Sequence, residues 1–409
     1  MPPEGANFRK LPRNVWIVTL TSFLTDISSE MLVNLIPLFL SNVLGAGTAI
    51  IGMIEGLAET TASLMKIYSG ALSDRLGKRK WLTVLGYGIS TVAKPFLYFA
   101  NSWGWVLGVR FSDRLGKGIR TAPRDALVAD GVDEKQRGLA FGLHRAGDTA
   151  GAFLGIGIAA MIVWLTQSNA IQLSRSAFQF VVLASILPAL LAVLVLTIGA
   201  KESKGLIKSA QPIFSLKGMD KRFKYFIMVI VLFTLGNSSD AFIILRAQER
   251  GLNVLQVLLM MMSFSLVYSL LATPLGILSD KIGRRKLILG GWFTYGLVYL
   301  GFAISKAGWH IWALFAFYGV YYAATEGVAK ALVADLVPPE RRGIAFGVYN
   351  ATIGLTVFPA SLLAGILWQG VGGWKGFGPE APFYFGAALA ILAGLLFWRL
   401  FPKIESEEK

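Results

Sequence analysis

Long apolar runs alternate with short polar breaks along the whole chain, and most runs are about as long as a bilayer crossing requires, ~20 residues of helix. They fall near residues 14–42, 47–72, 81–100, 104–128, 139–166, 176–200, 223–248, 253–278, 287–305, 309–334, 343–370 and 382–401. This pattern predicts an all-α polytopic membrane protein with twelve transmembrane helices. The polar start MPPEGANFRKLPRN leads into a run too long for a signal-peptide core, so no cleaved leader is expected.

The longest polar interruption, KESKGLIKSAQPIFSLKGMDKRFK (201–224), splits the chain into halves that match each other. GALSDRLGKRK (70–80) recurs as GILSDKIGRRK (276–286), and ALVADGVDEKQRGLAFG (126–142) recurs as ALVADLVPPERRGIAFG (331–347), at offsets of 206 and 205 residues. The expected organisation is an N-terminal six-helix bundle over 1–200, a cytoplasmic linker over 201–222 and a C-terminal bundle over 223–409. Two parallel six-helix repeats are a transporter plan in which substrate binds near the midplane where the halves meet.

The element G-x-L-S-D-R-x-G-K-R-K after the second span, repeated after the eighth, resembles the loop 2–3 signature of the major facilitator superfamily. With twelve spans and a central linker, the resemblance covers essentially the whole chain. It implies two pseudo-symmetric bundles, a rocker-switch transporter and a cavity lined by helices 1, 4, 7 and 10. It also implies a conformational latch at Gly70, Asp74, Arg75 and Gly77 and at Asp280, Gly283 and Arg284.

Charge refines this picture. Lys and Arg outnumber Asp and Glu by 39 to 24, but the excess lies in alternate short segments such as Arg9, Lys10 and Arg13, or Arg75, Lys78, Arg79 and Lys80. That bias sets topology, so both termini are expected in the cytoplasm of a bacterial or archaeal cell, and no nucleic-acid partner is expected. There is no cysteine, and His144 and His310 are the only imidazoles, so neither metal nor cofactor is expected. No phosphate-cradling G-x-x-x-x-G-K-[ST] loop is present to use ATP directly.

One hexapeptide, SDRLGK, occurs twice, at 73–78 and 112–117. The first copy is the loop element. The second cannot be a loop, because Trp81 to Phe111 is too short for two crossings of ~20 residues each. It therefore lies inside helix 4. At ~100° per residue, Arg110, Asp113, Arg114, Lys117, Arg120, Arg124 and Asp125 fall within an arc of ~140°, opposite small and apolar residues. Charges at membrane depth face a bundle interior or a wet cavity, so helix 4 is expected to present a basic stripe inward. Arg114 followed by Gly118 and Ala122 resembles the family's helix 4 motif, which implies a part in proton coupling.

Acidic partners are at hand. Asp26 and Glu30 sit one turn apart on span 1, and Asp148 and Arg145 lie in span 5. With Asp113 and Arg114 they form the candidate proton-coupling set. Arg110 and Lys117 are candidate substrate ligands. On span 10, Tyr318, Tyr322 and Glu326 share a face with Phe315, and Asn237 and Asp240 are expected to occupy the part of span 7 corresponding to Asp26–Glu30. Aromatic rings over a carboxylate suit an organic ligand with an apolar body. Gly147, Gly151 and Gly155 form a close-packing ridge on span 5; it resembles the family's antiporter signature, with Ala152 where a proline is expected.

The expected function is proton-coupled export of a small organic compound by a monomer whose partners are substrate, protons and the lipid bilayer. The alternative is a carrier of organic anions or phosphorylated solutes using the basic face of helix 4. A membrane enzyme is disfavoured, since the sequence offers no nucleophile–base constellation at one membrane face.

Overall fold

A computed structural model describes residues 11–130, 132–133, 136–202, 219–338 and 341–407; the side chains of Asp74, Leu400 and residues 402–407 are outside this description. Arg9, Lys10, Lys135, most of the linker and the Asp74 side chain thus lie outside the described residues.

Twelve helical spans follow one another: α1 (Arg13–Val43), α2 (Thr48–Leu76), α3 (Arg79–Ala93), α4 (Trp103–Ala129), α5 (Arg137–Gln167), α6 (Arg175–Gly199), α7 (Lys221–Glu249), α8 (Val254–Ile282), α9 (Arg284–Ile304), α10 (Gly308–Asp335), α11 (Arg342–Gln369) and α12 (Ala381–Glu407). Among the described residues, eight of them are long and apolar enough to cross a membrane by length and composition. α4, which carries the ionic stripe, is not among these eight.

Three spans are irregular. Pro95 cannot donate to a helical ladder, and α3 tightens into a 3-10 turn over Lys94–Phe99. α1 breaks at Asn34–Leu35 and ends in a wide π turn over Phe39–Val43. α7 is interrupted between α7a (Lys221–Gly236) and α7b (Ala241–Glu249). At the 206-residue offset of the repeat, Asp240 corresponds to Asn34, so the two breaks coincide. This refines the expected register: Asp240 matches the break in α1, while Asn237 matches Met31, the residue directly after Glu30.

Contacts group the chain into two compact units. One holds Met1–Phe39, Thr61–Gln167 and Ser174–Pro212; the other holds Leu40–Thr60, Ser168–Leu173 and Ile213–Lys409. The grouping crosses the expected bundle boundary at 40–60 and 168–173. In the second unit Gly52 and Gly56 on α2 meet the α11 backbone so closely that a Cβ would stand 2.1 Å from Ser361 O and 2.9 Å from Phe358 Cα.

In the first unit the glycine ridge of α5 does the same against α1. A Cβ at Gly147, Gly151 or Gly155 would lie 2.7 Å from Thr19 Cγ2, 2.4 Å from Phe23 O or 2.4 Å from Ile27 O. The spacing of four on both helices keeps the two ridges in phase and lets the backbones approach.

Candidate functional site

Polar chemistry in the first unit converges on α4. Arg110, Arg114 and Arg120 are buried, Asp113, Arg124 and Asp125 are half-buried, and Lys117 is exposed. Gly116 and Gly118 let α4 lie against its neighbours: a Cβ at Gly116 would meet Gly86 O of α3 at 2.5 Å, and one at Gly118 would meet Met65 Cβ of α2 at 2.5 Å.

Every buried charge has company. Lys94, 3% exposed, donates from the 3-10 turn to Ser28 Oγ at 2.8 Å and Ser29 Oγ at 3.0 Å on α1. Asp113 lies in the field of Lys94, Arg114, Arg120 and Arg110. Arg120 donates to Ser90 Oγ at 2.7 Å and stacks over the Tyr87 ring with its guanidinium carbon 4.4 Å from the centroid. Asp26 sits in the combined field of Lys117, Arg120, Arg124 and Lys94. Glu30 adjoins Asp26, Lys117 and Arg114, and Asn34 donates to its carboxylate at 3.3 Å. The candidate coupling residues on α1, α4 and α5 therefore do come together. Arg145 is exposed, though it acts on Asp148 through space.

A second chain of polar groups adjoins the first. Ser22 Oγ on α1 lies 2.9 Å from Tyr87 OH and 3.0 Å from His144 Nε2. His144 Nδ1 is 3.5 Å from Asp148 Oδ2, one turn along α5. Arg124 donates to Asp125 at 2.8 Å and reaches Ser22 Oγ at 3.5 Å. As one of two isolated imidazoles His144 offers no metal-ligand pattern, and no local signal in the sequence singles out Ser22. The line Ser–His–Asp has the order of a hydrolytic triad, but Ser22 is 2% exposed and covered by Tyr87, so no substrate reaches it.

The second unit is built from rings instead. Tyr295 and Tyr299 on α9 stack at 4.0 Å, and Tyr318, Tyr321 and Tyr322 on α10 pack onto them and onto Phe264 of α8. Tyr318 is fully buried, so it reaches the site through its hydroxyl, which donates to Asn237 Oδ1 at 3.2 Å. Asn237 Nδ2 in turn donates to Tyr321 OH at 3.2 Å. Tyr268 donates to Glu326 at 2.7 Å, and Lys330 stands 3.5 Å from the same carboxylate.

Asp240 occupies the cap position of α7b without capping it, because Ser239 Oγ accepts from Ala241 N instead. Among the described residues no hydrogen bond or ion pair reaches the Asp240 carboxylate, which lies in the fields of Tyr299, Tyr318, Tyr321, Tyr322 and Glu59. Tyr295 and Tyr299, spaced i, i+4 on span 9, carried a legible sequence signal that the focus on span 10 passed over.

The latch elements reverse at Gly77 (φ +60°) and Gly283 (φ +95°), a conformation that favours glycine. A Cβ at Gly70 would touch Ala122 at 3.3 Å, whereas its counterpart Gly276 faces open space. Arg75 and Asp280 are exposed. The firm contacts come from Arg79, outside the expected latch set, which pairs with Asp130 at 2.7 Å, and from Arg284, within it, which pairs with Asp335 while standing 3.7 Å from Asp280.

The sequence pattern of the Major Facilitator Superfamily matches residues 18–261 and 225–409, together nearly the whole chain. The chain belongs to this superfamily. An uncharacterized MFS-type transporter of Methanocaldococcus jannaschii is 36% identical over 399 residues, covering 96% of each chain. The multi-drug resistance efflux pump PmrA of Streptococcus pneumoniae is 25% identical over 334 residues, 80% of this chain and 82% of the pump. Among solved structures, a POT family transporter in complex with a thioalcohol-conjugated peptide superposes with a TM-score of 0.81 at 13% identity, covering 98% of both chains, which speaks for the fold alone. The molecule is an integral, multi-pass membrane transporter of the superfamily, not an enzyme.

Proposed function

We propose that the chain is a proton-coupled secondary transporter that exports a small organic compound by alternating access. Coupling belongs to the first unit and substrate recognition to the second. The observation that carries this reading is Asp26, a carboxylate on α1 whose basic neighbours sit on α3 and α4, with Glu30 one turn away and Asp148 on α5. An acid whose countercharges belong to other helices changes its proton affinity when those helices shift. The wealth of bases around it, Arg110, Arg114 and Lys117 included, keeps the carboxylates paired at a depth where unpaired charge is costly.

For recognition, Asp240 offers a carboxylate within a wall of tyrosines; Asn237 is hydrogen-bonded into that wall, and Tyr322 lies in the fields of both Asp240 and Glu326. Such a wall suits an aromatic or apolar body with a cationic or hydrogen-bond-donating head. Similarity to an efflux pump supports the outward direction.

The test is flux of ethidium, an aromatic cation, in proteoliposomes with an imposed pH gradient. Flux should follow the gradient in wild type and ignore it in Asp26→Asn. Wild-type flux indifferent to the gradient would sink the coupling claim.

One observation favours a second reading. Lys117 is the exposed member of a basic face whose other members are buried or half-buried, which suits an organic anion or phosphorylated solute held by Arg110 and Lys117. Under that reading fluorescein, not ethidium, should raise the melting temperature of wild type, and Lys117→Ala should abolish the rise.

A further inference from the structure

We propose that His144 carries a coupling proton in the first unit, loaded at Nε2 beside Ser22 and balanced at Nδ1 by Asp148. The proposal rests on the proton-coupled reading above and adds a residue that reading does not require.

Hydrogen-bond parity supports it. Ser22 has one hydroxyl hydrogen and two lone pairs, and three groups converge on it: Tyr87 OH at 2.9 Å, His144 Nε2 at 3.0 Å and Arg124 Nη1 at 3.5 Å. Arg124 can only donate. Asp148, when ionised, can only accept, which places the hydrogen of a neutral imidazole on Nδ1, facing Oδ2 at 3.5 Å. Nε2 is then an acceptor, Ser22 donates to it, and Tyr87 donates to Ser22.

Adding one proton at Nε2 reverses that order. Nε2–H becomes a donor to Ser22, and Ser22 turns its hydrogen to the Tyr87 oxygen. One N–H bond forms on loading and breaks on unloading; both hydroxyls keep their own hydrogens. The imidazolium so formed already faces its counter-ion.

The surrounding groups are defined. Tyr87 faces the site from α3 and Arg124 and Asp125 from α4; exposed Arg145, next along α5, acts through space, and Asp26 on α1 acts on Asp148. α6 brings no titratable side chain except Arg175 at its far end. Asp148 Oδ1 is buried and makes no hydrogen bond among the described residues, so the carboxylate keeps an open acceptor beside the imidazole. Ser22 is also the point where α1, α3, α4 and α5 meet through one oxygen. Loading His144 therefore reverses donors at a four-helix junction, which ties proton occupancy to helix arrangement.

The chain has only two histidines, which makes the test direct. His310→Gln protein labelled with 15N-histidine, in lipid nanodiscs, leaves a single imidazole signal. Between about pH 9 and 3 it should pass from the Nδ1–H tautomer to imidazolium, with a midpoint that Asp148→Asn moves. An Nε2–H tautomer at alkaline pH, or no titration across the range, overturns the proposal. In proteoliposomes, His144→Gln keeps a hydrogen-bonding partner for Ser22 but cannot pass a proton. Its gradient-driven ethidium flux should fall about tenfold or more. A variant that follows the gradient like wild type overturns the role of His144 and leaves the coupled reading standing. A wild type that ignores the gradient overturns both.

Discussion

Helices α4 and α10 hold corresponding places in the internal repeat, yet their middles share almost nothing. Where α4 carries SDRLGK (112–117), α10 carries YGVYYA (318–323). Near their C-terminal ends they agree: Asp130 pairs with Arg79, and Asp335 pairs with Arg284. Even this agreement is functional and not positional, because at an offset of 206 Arg284 matches Lys78 while Arg79 matches Arg285. Arg285 instead donates to Trp398 O. Two adjacent bases give the repeat a choice of which one makes the bridge. The two units thus share a way of holding their C-terminal helix ends and differ in what they place at membrane depth, ions in one and tyrosines in the other.

Exchanging loss of charge between the two units tests this division most severely. Asp26→Asn should lower gradient-driven ethidium flux about 100-fold or more while ethidium affinity stays near wild type. Asp240→Asn should weaken ethidium binding about tenfold or more, by loss of a partly desolvated carboxylate, and leave the residual flux sensitive to the gradient. If both variants lose the same property, the division of labour is wrong.

A stability effect comes next. Arg246 is fully buried at the end of α7b, where it donates to Glu249 at 2.6 Å, to Glu380 at 3.0 Å and to the carbonyls of Phe302 and Ala303. Arg246→Met removes the buried partner, but both carboxylates are partly exposed and still face Arg250, so the fold should be destabilised by about 1–3 kcal/mol, read as a lowered melting temperature. Glu380 lies just outside the membrane span. Desolvation works to raise its pKa, but its own backbone hydrogen bond together with Arg246 and Arg250 holds the carboxyl below the usual value of 4.5. A depressed folded-state pKa contributes stability above the unfolded value that is lost as pH falls through the folded one. Wild type should therefore lose melting temperature below about pH 4.5 more steeply than Glu380→Gln.

The smallest effect sharpens the comparison of the bridges. The Arg79–Asp130 side chains are 12% and 28% exposed, against 26% and 51% for Arg284–Asp335. Double-mutant cycles should give about 1 kcal/mol for the first and less for the second. Equal values would mean that burial does not set the difference.

Much of this was legible before any coordinates. Span positions followed from run lengths, and the intramembrane place of the second SDRLGK followed from counting residues between two turns. Its inward arc followed from helical periodicity, and the buried arginines of α4 lie where that arc puts them. The break in α7 had a local signal that run length alone does not show: GNSSD holds no proline, but Gly, Asn, Ser and Asp favour caps and turns over helix. The Ser22–His144 bond joins positions 122 residues apart, and nothing local in either segment announces the other. Lys94 was visible as a charge in a span, but its serine partners depend on the 3-10 turn that Pro95 imposes.

The interruption of α7 has a mechanical consequence. α7b is riveted at its far end by Arg246, and α7a is tied near its start by the Tyr225 hydroxyl, which donates to Leu396 O at 2.8 Å. Between these fixings, residues 237–240 carry no continuous helical ladder. A rod clamped at both ends and cut in the middle has one place to flex, so thermal bending of this span concentrates in the few residues that hold Asn237 and Asp240.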